Sequence, residues 1–531
     1  MSLTYLIFGP AVAGLILGFL PEKRKGLVRY VALLLSLGVF GYSLGIYLTF
    51  RSQAMPIEFN VLWIRDFGIH YHLAVDGLSI WLVLLTTFLT PLAILSSFRS
   101  VNDRVRLFNS MLLLLEAGML GVFLAQDLIL FYMFWELMLV PMYFIIGIWG
   151  YDERIKATIV FVIYTMVGSL LMLVAMVSLA IVNAQNLAMR FGGSVWQWLS
   201  FDLGRIDPTL LTPEQQLWLF VAFFFAFMIK VPLFPVHTWL PLAHVQAPTA
   251  GSVILAGVLL KTGAYAIIRF CLGLFPAASM QFAPWINTLA VIGIVYGALV
   301  SLVQTDFKKL VAYSSVSHMG FIILGIFSFT VEGITGGIVQ MVNHGISTGG
   351  LFLCVGMLYE RSHTREFSEL GGAATAMPVY AGLFLIITLS SAALPGLNGF
   401  IGEFLTLAGA FKNPATRWWA VVGASGMIFA AAYLLWMFQQ SMYTTKPGVW
   451  RERTWPDVTR REIAVLAPII IAALWIGLYP KPVLQPMEVA SEQLLNYMHH
   501  TIAAQEQVMN DRLTSAQERL DSVLSLGEVV R

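Results

Sequence analysis

Charge is scarce in this chain, and thiols are scarcer still. Aspartate, glutamate, lysine and arginine make up 11% of its 531 residues, where a soluble domain carries about a quarter. The two cysteines, Cys271 and Cys354, stand far apart in apolar surroundings, so neither an iron–sulfur cluster nor a zinc site can be assembled from this chain's thiols. No G-x-G-x-x-G or P-loop pattern opens a helix, and any redox or nucleotide chemistry therefore belongs to another chain. The formal net charge is only +2 and the basic residues are dispersed, which leaves no electrostatic footprint for nucleic acid.

What fills the sequence is hydrocarbon: 58% of residues are hydrophobic and the mean hydropathy is +0.79. Runs able to cross a hydrocarbon core about 30 Å thick fall near 2–20, 30–50, 75–97, 108–125, 127–149, 158–183, 213–231, 248–273, 284–304, 310–328, 333–358, 377–410, 415–441 and 463–480. The expected fold is an all-α polytopic membrane protein with about fourteen transmembrane helices. The first run is followed, not preceded, by Lys23, Arg24 and Lys25, the reverse of a secretory signal, so it is expected to stay as a helix. Taking the loops alternately, eighteen basic residues, among them Lys308, Lys309, Lys446, Arg451 and Arg453, oppose Arg51, Arg65, Arg190, Arg205, Lys412 and Arg417. The positive-inside rule then places both termini on the non-cytoplasmic side.

Against this background a few charges inside the runs stand out. Lys230, Lys261 and Arg269 lie within spans, where a lysine costs about 2.5–3.5 kcal/mol on insertion scales. The two lysines are expected to face the bundle interior and to have partners; the alternative is a lysine snorkelling to a headgroup. Pro232 and Pro235 follow Lys230 directly and must break the helix, because proline lacks the amide proton and clashes with the preceding turn. A second break is expected at Leu394-Pro-Gly-Leu-Asn-Gly399, with Glu403 just beyond it. Five spans separate the two breaks, and an odd number returns a repeat upside down, the pattern of inverted repeats around an ion site. Two unrelated proline kinks are the alternative.

Acids are rare in the spans: Glu116, Glu136 and Glu403, with Asp76 and Asp127 near span ends. A buried carboxylate disfavours its own charge, a buried lysine does likewise, and pairing restores both. Glu136 and Lys230 are the expected pair, a proton switch that holds the lysine protonated until the acid withdraws. His244, His318 and His344 fall in spans or at their edges and His237 in the first break. Each can pass protons through two ring nitrogens, although a lone buried histidine is often a satisfied core residue. Metal ligation competes weakly, since there is no H-E-x-x-H and His237 and His244 stand seven apart. The stretch 184–212, with Trp196, Trp198 and Phe201, is expected at the surface. The tail 482–531, which carries Glu488, Glu492, Glu506, Asp511, Glu518, Asp521 and Glu528, is expected as an amphipathic helix, or else a disordered tail.

Five segments carry a resemblance: Phe134-Trp-Glu-Leu-Met-Leu-Val-Pro-Met-Tyr143, Lys230-Val-Pro-Leu-Phe-Pro-Val-His-Thr-Trp-Leu-Pro241, Gln246-Ala-Pro-Thr-Ala-Gly251, Leu260-Lys-Thr-Gly-Ala-Tyr265 and Gly399-Phe-Ile-Gly-Glu-Phe404. Over residues 75–480 the chain closely resembles the antiporter-like subunit M of proton-pumping NADH:quinone oxidoreductase, complex I, called subunit 4 in mitochondria. The resemblance implies three N-terminal helices in 1–107 and a first five-helix repeat, 108–273. A second, inverted repeat would span 284–441, followed by helix 463–480 and the polar tail 481–531. It implies a proton path in which Glu136 modulates Lys230, Lys261 is the central carrier, His318 and His344 relay, and Glu403 is the exit-side carrier. Glu116, His237 and His244 are accessory candidates.

No cofactor is expected in this chain. NADH, FMN, iron–sulfur clusters and quinone are expected in partner subunits, with sister antiporter-like subunits on either side, in a bacterial inner membrane. The alternatives are a subunit of a multisubunit sodium/proton antiporter, which the family usually marks by a lysine where this chain has Glu403, and a structural scaffold without conduction. Two departures from the family pattern are Leu242, where many relatives carry an acid, and the longer tail.

Overall fold

The computed structural model describes residues 2–53, 55–443 and 455–529. Lys446, Arg451 and Arg453 of the basic loop lie outside the described residues, as do the side chains of Asp511, Glu518, Asp521 and Glu528. Helices α1 (Thr4–Leu17) and α2 (Lys25–Gln53) precede a two-stranded hairpin, β1 (Ile57–Ile64) and β2 (Ile69–Val75). There follow α3 (Ile80–Ser100), α4 (Val105–Leu124), α5 (Leu128–Leu137), α6 (Leu139–Trp149), α7 (Arg154–Phe191) and the short α8 (Val195–Trp198). Next come α9 (Pro213–Lys230), α10 (Trp239–Gln246), α11 (Thr249–Ile254), α12 (Leu260–Ala266), α13 (Pro276–Leu302), α14 (Phe307–Ile326) and α15 (Val331–Ser362). The chain ends with α16 (Ala373–Ala376), α17 (Pro378–Ser391), α18 (Asn398–Lys412), α19 (Arg417–Met442), α20 (Arg460–Leu478) and α21 (Lys481–Val529).

This is an all-α polytopic membrane protein: among the described residues eleven helices are long and apolar enough to cross a bilayer. Local chemistry sets their starts. Thr212 and Gln215 form a capping box with Pro213 in the first turn of α9, satisfying donors that a helix start leaves free. Thr459 and Glu462 do the same for α20, while Asp127 caps α5 by accepting from the Ile129 and Leu130 amides. The chain is non-helical between Lys230 and Trp239, where the prolines remove amide donors, and again between Ser391 and Asn398. An 18-residue window of α15 and another within Thr249–Leu272 are buried throughout, which places both at the centre of the bundle.

Two features depart from the sequence reading. The hairpin was not expected: its strands pair antiparallel from Ile57 opposite Val75 to Ile64 opposite Ile69. Gly68 closes the turn at φ +61°, a left-handed conformation in which a Cβ would also lie 2.0 Å from the Leu199 carbonyl oxygen, so only glycine fits. The stretch 184–212 is not all surface. Its start continues α7 and Trp196 is 74% exposed, but Phe201, Asp202 and Leu210 are buried: Phe201 and Asp202 bond to Gly68 and His72 of the hairpin, and α21 packs on 208–210, where Gln505 donates to the Pro208 carbonyl at 2.5 Å. Along α21, Val483, Met487, Ser491, Leu495, Met498 and Thr501 are buried, a stripe at spacings of three and four that docks one helix face.

Candidate functional site

The central helical stretch is irregular in a way that builds the site. Between α11 and α12 lies a π turn, Leu255–Leu259, and after α12 a second, Ile267–Leu272. Such wide turns disturb the regular ladder of carbonyl acceptors. Lys261, fully buried, donates through Nζ to the Ala256 carbonyl in the first π turn. It also meets His344 Nδ1 of α15 at 2.6 Å. With the lysine protonated, Nδ1 accepts and the imidazole proton sits on Nε2. The approach requires glycine: a Cβ at Gly345 would lie 2.7 Å from the Gly257 carbonyl oxygen and 2.6 Å from a Leu85 methyl. A larger residue would push α15 off the π turn.

From His344 the line continues. The His318 ring on α14 lies 5.6 Å away, centroid to centroid. His318 Nδ1 stands 2.6 Å from Glu403 Oε1 on α18. The same oxygen accepts from Gln340 Nε2 at 3.1 Å, and the Tyr433 hydroxyl of α19 lies 3.3 Å from His318 Nε2. Lys261, His344, His318 and Glu403 are each at most 2% exposed. Four of the six principal sequence-predicted residues thus form one buried line drawn from four helices.

Lys230 and Glu136 form a second group. Lys230 ends α9 and is 2% exposed; its Nζ lies over the rings of Trp135, at 5.0 Å, and Phe161, at 5.8 Å, a geometry that attracts a cation. Glu136 is half-buried on α5 and near enough to Lys230 to interact electrostatically. Among the described residues neither a hydrogen bond nor an ion pair within 4.0 Å joins them, and Lys230 Nζ has no hydrogen-bond partner. A Cβ at Gly263 would lie 3.1 Å from the Lys230 Cβ and 2.8 Å from a Val231 methyl, so the end of α9 rests directly on the helix that carries Lys261.

Among the accessory candidates, Glu116 on α4 is fully buried with no partner for either carboxylate oxygen. The His237 ring packs between Phe234, at 5.7 Å, and Tyr296, at 5.1 Å. His244 stacks on Phe352 at 4.7 Å and feels the charges of both Lys261 and Lys308. No group of three or more His, Cys, Asp or Glu that could hold a metal is found among the described residues.

The cap of α5, which carries Glu136, belongs to a polar cluster at one face of the bundle. Asp127 accepts from the His70 amide at 3.0 Å, and burial pushes its carboxyl up to about 6 in spite of that bond and the two cap bonds. Asp202 meets His72 Nδ1 at 2.6 Å, and Glu58 meets His72 Nε2 at 2.8 Å. Burial opposes the charged imidazole, but the Asp202 and Glu58 contacts outweigh it and leave His72 above its ordinary value. Burial likewise works against the Asp202 carboxylate, and His72 more than offsets it, holding Asp202 low.

Comparison with known proteins places the chain in a family. Residues 125–430 match the family described as "NADH:quinone oxidoreductase/Mrp antiporter, TM", and residues 31–122 match "NADH-ubiquinone oxidoreductase chain 4, amino terminus". NADH-quinone oxidoreductase subunit M of Rhodobacter capsulatus is 45% identical over 461 residues, 85% of this chain and 87% of the relative. The chain belongs to the subunit M family of NADH:quinone oxidoreductase. NADH-ubiquinone oxidoreductase chain 4 of Marchantia polymorpha is 40% identical over 500 residues, 93% of this chain and 97% of the relative. Among solved structures, a chain of respiratory complex I from Thermus thermophilus with bound NADH superimposes with a TM-score of 0.82 at 32% identity, covering 94% of this chain and 100% of that one. A chain of the Mrp complex from Dietzia sp. shares the fold at a TM-score of 0.77 and 20% identity, covering 96% of this chain and 56% of that one.

Within this subunit M fold, two side chains that touch the line, and one buried lysine apart from it, escaped the sequence reading. Gln340 and Tyr433 are polar groups in mid-span, and a mid-span tyrosine is itself a signal because the residue usually marks the interface. The sequence puts Lys308 among the loop cations. It is instead 3% exposed, donates to the Ala247 carbonyl and lies 5.1 Å over the Tyr151 ring. Lys308 stands seven residues before the buried Ser315, on the inward face of α14, whereas its neighbour Lys309 points out. The pair Lys-Lys hid the difference.

Proposed function

We propose that this chain is a proton-translocating membrane subunit of a respiratory NADH:quinone oxidoreductase, driven by quinone reduction in other subunits. The observation that carries the reading is the buried line from Lys261 through His344 and His318 to Glu403. Buried ionisable groups stabilise a fold no better than well-packed apolar side chains of similar volume, so a scaffold gains nothing from such a line and a proton carrier requires it.

In this reading Glu136 modulates Lys230: when the carboxylate approaches, the ammonium is held; when it withdraws, Lys230 releases its proton toward Lys261. Lys261 passes a proton to His344 Nδ1 and His344 gives up the one on Nε2 toward His318, by ring rotation or through water. His318 delivers to Glu403, the exit-side carrier, while Gln340 steadies the carboxylate. Lys308 and His244 form the cytoplasmic inlet, beneath a cavity of about 770 Å³ that includes Tyr151 and Tyr359 in its lining.

The architecture we assign has fourteen spans, with α9–α10 and α17–α18 as the interrupted helices of two inverted repeats, 108–273 and 284–441, between helices in 1–107 and 463–480. Helix α21 closes one face along residues 483–501. Both termini lie on the non-cytoplasmic side of a bacterial inner membrane, a placement supported by the loop cations even with Lys308 removed from the tally. Sister antiporter-like subunits flank the chain, and NADH, FMN, iron–sulfur clusters and quinone bind in partner subunits.

The test is Lys261→Ala or Glu403→Gln in the assembled complex. Oxidation of NADH by an artificial acceptor is expected to be unchanged, while quinone-dependent proton uptake into inverted vesicles falls by roughly a hundredfold or more, the scale of a lost proton-transfer group. Normal uptake would overturn the reading. A sodium gradient without an electron donor is expected to drive no proton movement; movement under that condition would favour the antiporter alternative.

A further inference from the structure

Helices α2 and α20 both pack on α3 and leave between them a groove whose floor is Trp81. Its ring lies 5.2 Å from Tyr47 of α2 and 6.0 Å from Trp475 of α20. Trp81 is 7% exposed, yet its indole N–H has no hydrogen-bond partner. The walls of the groove are apolar and open outward: Leu44 and Leu48 on α2 are 40% and 62% exposed, Leu474 and Leu478 on α20 39% and 71%.

Where the groove ends, at the C-terminal ends of both helices, a cavity of about 800 Å³ opens. Its charged lining is Arg51, Arg269, Lys481 and Asp76. Asp76 pairs with Arg269 at 2.5 Å. Neither Arg51 nor Lys481 has an acid within 4.0 Å among the described residues. The cavity therefore holds an uncompensated positive charge from two side chains, beside Tyr47 and Tyr479, aromatic residues of the kind that settle at headgroup depth.

We propose that this groove and cavity bind one anionic phospholipid, such as a phosphatidylglycerol. The phosphate sits between Arg51 and Lys481, where charge-assisted hydrogen bonds to guanidinium and ammonium are strong. The acyl chains lie along the leucines of α2 and α20. Free inorganic phosphate would satisfy the cations alone, leaving the exposed leucines of the groove uncovered.

The complex in membranes is to be labelled with a photoactivatable phosphatidylglycerol carrying its reactive group on an acyl chain. The phosphatidylcholine analogue serves as control, and adducts are mapped by peptide mass spectrometry. Adducts are expected on 44–51 and 471–481, about tenfold more from phosphatidylglycerol than from phosphatidylcholine, and not displaced by excess inorganic phosphate. Arg51→Gln combined with Lys481→Gln is expected to abolish that excess while labelling of other lipid-facing helices stays constant. Equal labelling by both lipids, displacement by phosphate, an unchanged double variant, or cross-links to a neighbouring subunit in place of lipid adducts would each overturn the proposal. Because the readout is an adduct, a complex that pumps normally but fails to label sinks the lipid site and leaves the proton relay standing.

Discussion

Lys261 does two things at once that only a lysine can do: it fills the π-turn carbonyl of Ala256 as a donor and it can still give up a proton to His344. An arginine would keep the charge but cannot be deprotonated in a protein. Lys261→Arg is therefore expected to assemble, judged by native electrophoresis of the complex, and yet to lose proton uptake as fully as Lys261→Ala. Pumping restored by arginine would mean that the position contributes field and not protons. At the other end of the line, Gln340 shares Glu403 Oε1 with His318. A hydrogen bond to a charged group contributes about 1.5–3 kcal/mol, so Gln340→Leu is expected to slow pumping by roughly tenfold or more. The measurement is the initial rate of proton uptake, and an unchanged rate would remove Gln340 from the path.

At the scale of elements, close helix approach places the donors. Gly345→Val would drive a side chain into the Gly257 carbonyl and Leu85, and overpacking of that kind costs about 1–3 kcal/mol. A lowered melting temperature of the purified complex, together with reduced pumping, is the expected result; full activity would show that α15 can shift without losing the Lys261 contact. The proline breaks after Lys230 and around Pro395 were legible in the sequence, because a missing amide proton at membrane depth has local consequences that need no tertiary knowledge. So were the apolar runs and the rare charges within them. The hairpin was not, since its strands are too short to register beside runs of twenty apolar residues and β1 is mostly exposed. Neither was the inward turn of Lys308, which depends on how α14 is rotated against Tyr151 and Ala247. Partner choice is similarly tertiary: Lys230 meets aromatic faces where an ion pair with Glu136 was expected.

Across the whole molecule, the hairpin and the 199–205 segment are fastened by ionisable groups, which makes that face responsive to pH. His72 lies above its ordinary value, so its contribution to docking is complete below that ordinary value and fades as pH rises through the raised one. Asp202 lies below its ordinary value and loses its share only as pH falls through the depressed one. Asp127, bonded to the His70 amide and raised to about 6, works against the clamp as pH rises from its ordinary value to about 6, so the His72 and Asp202 shares are read most cleanly above that point. Amide hydrogen exchange of residues 57–75, corrected for intrinsic rate, is expected to quicken on the alkaline side, and His72→Gln to remove that rise. A flat profile in the native protein would contradict the assignment.

Lys261, His344 and His318 each sit near the middle of a spanning helix, and Glu403 is tied to that depth by His318. The line they form therefore runs along the plane of the bilayer at its midpoint, perpendicular to the electric field. A unit charge crossing the whole membrane does about 2.3 kcal/mol of work per 100 mV, but a step from Lys261 to Glu403 traverses almost none of that drop. In the proposed path the voltage is met on the two vertical limbs, by way of Lys308 and His244 on one side and beyond Glu403 on the other. Substitutions in the horizontal row should accordingly change the rate of pumping while leaving its dependence on membrane potential as it was.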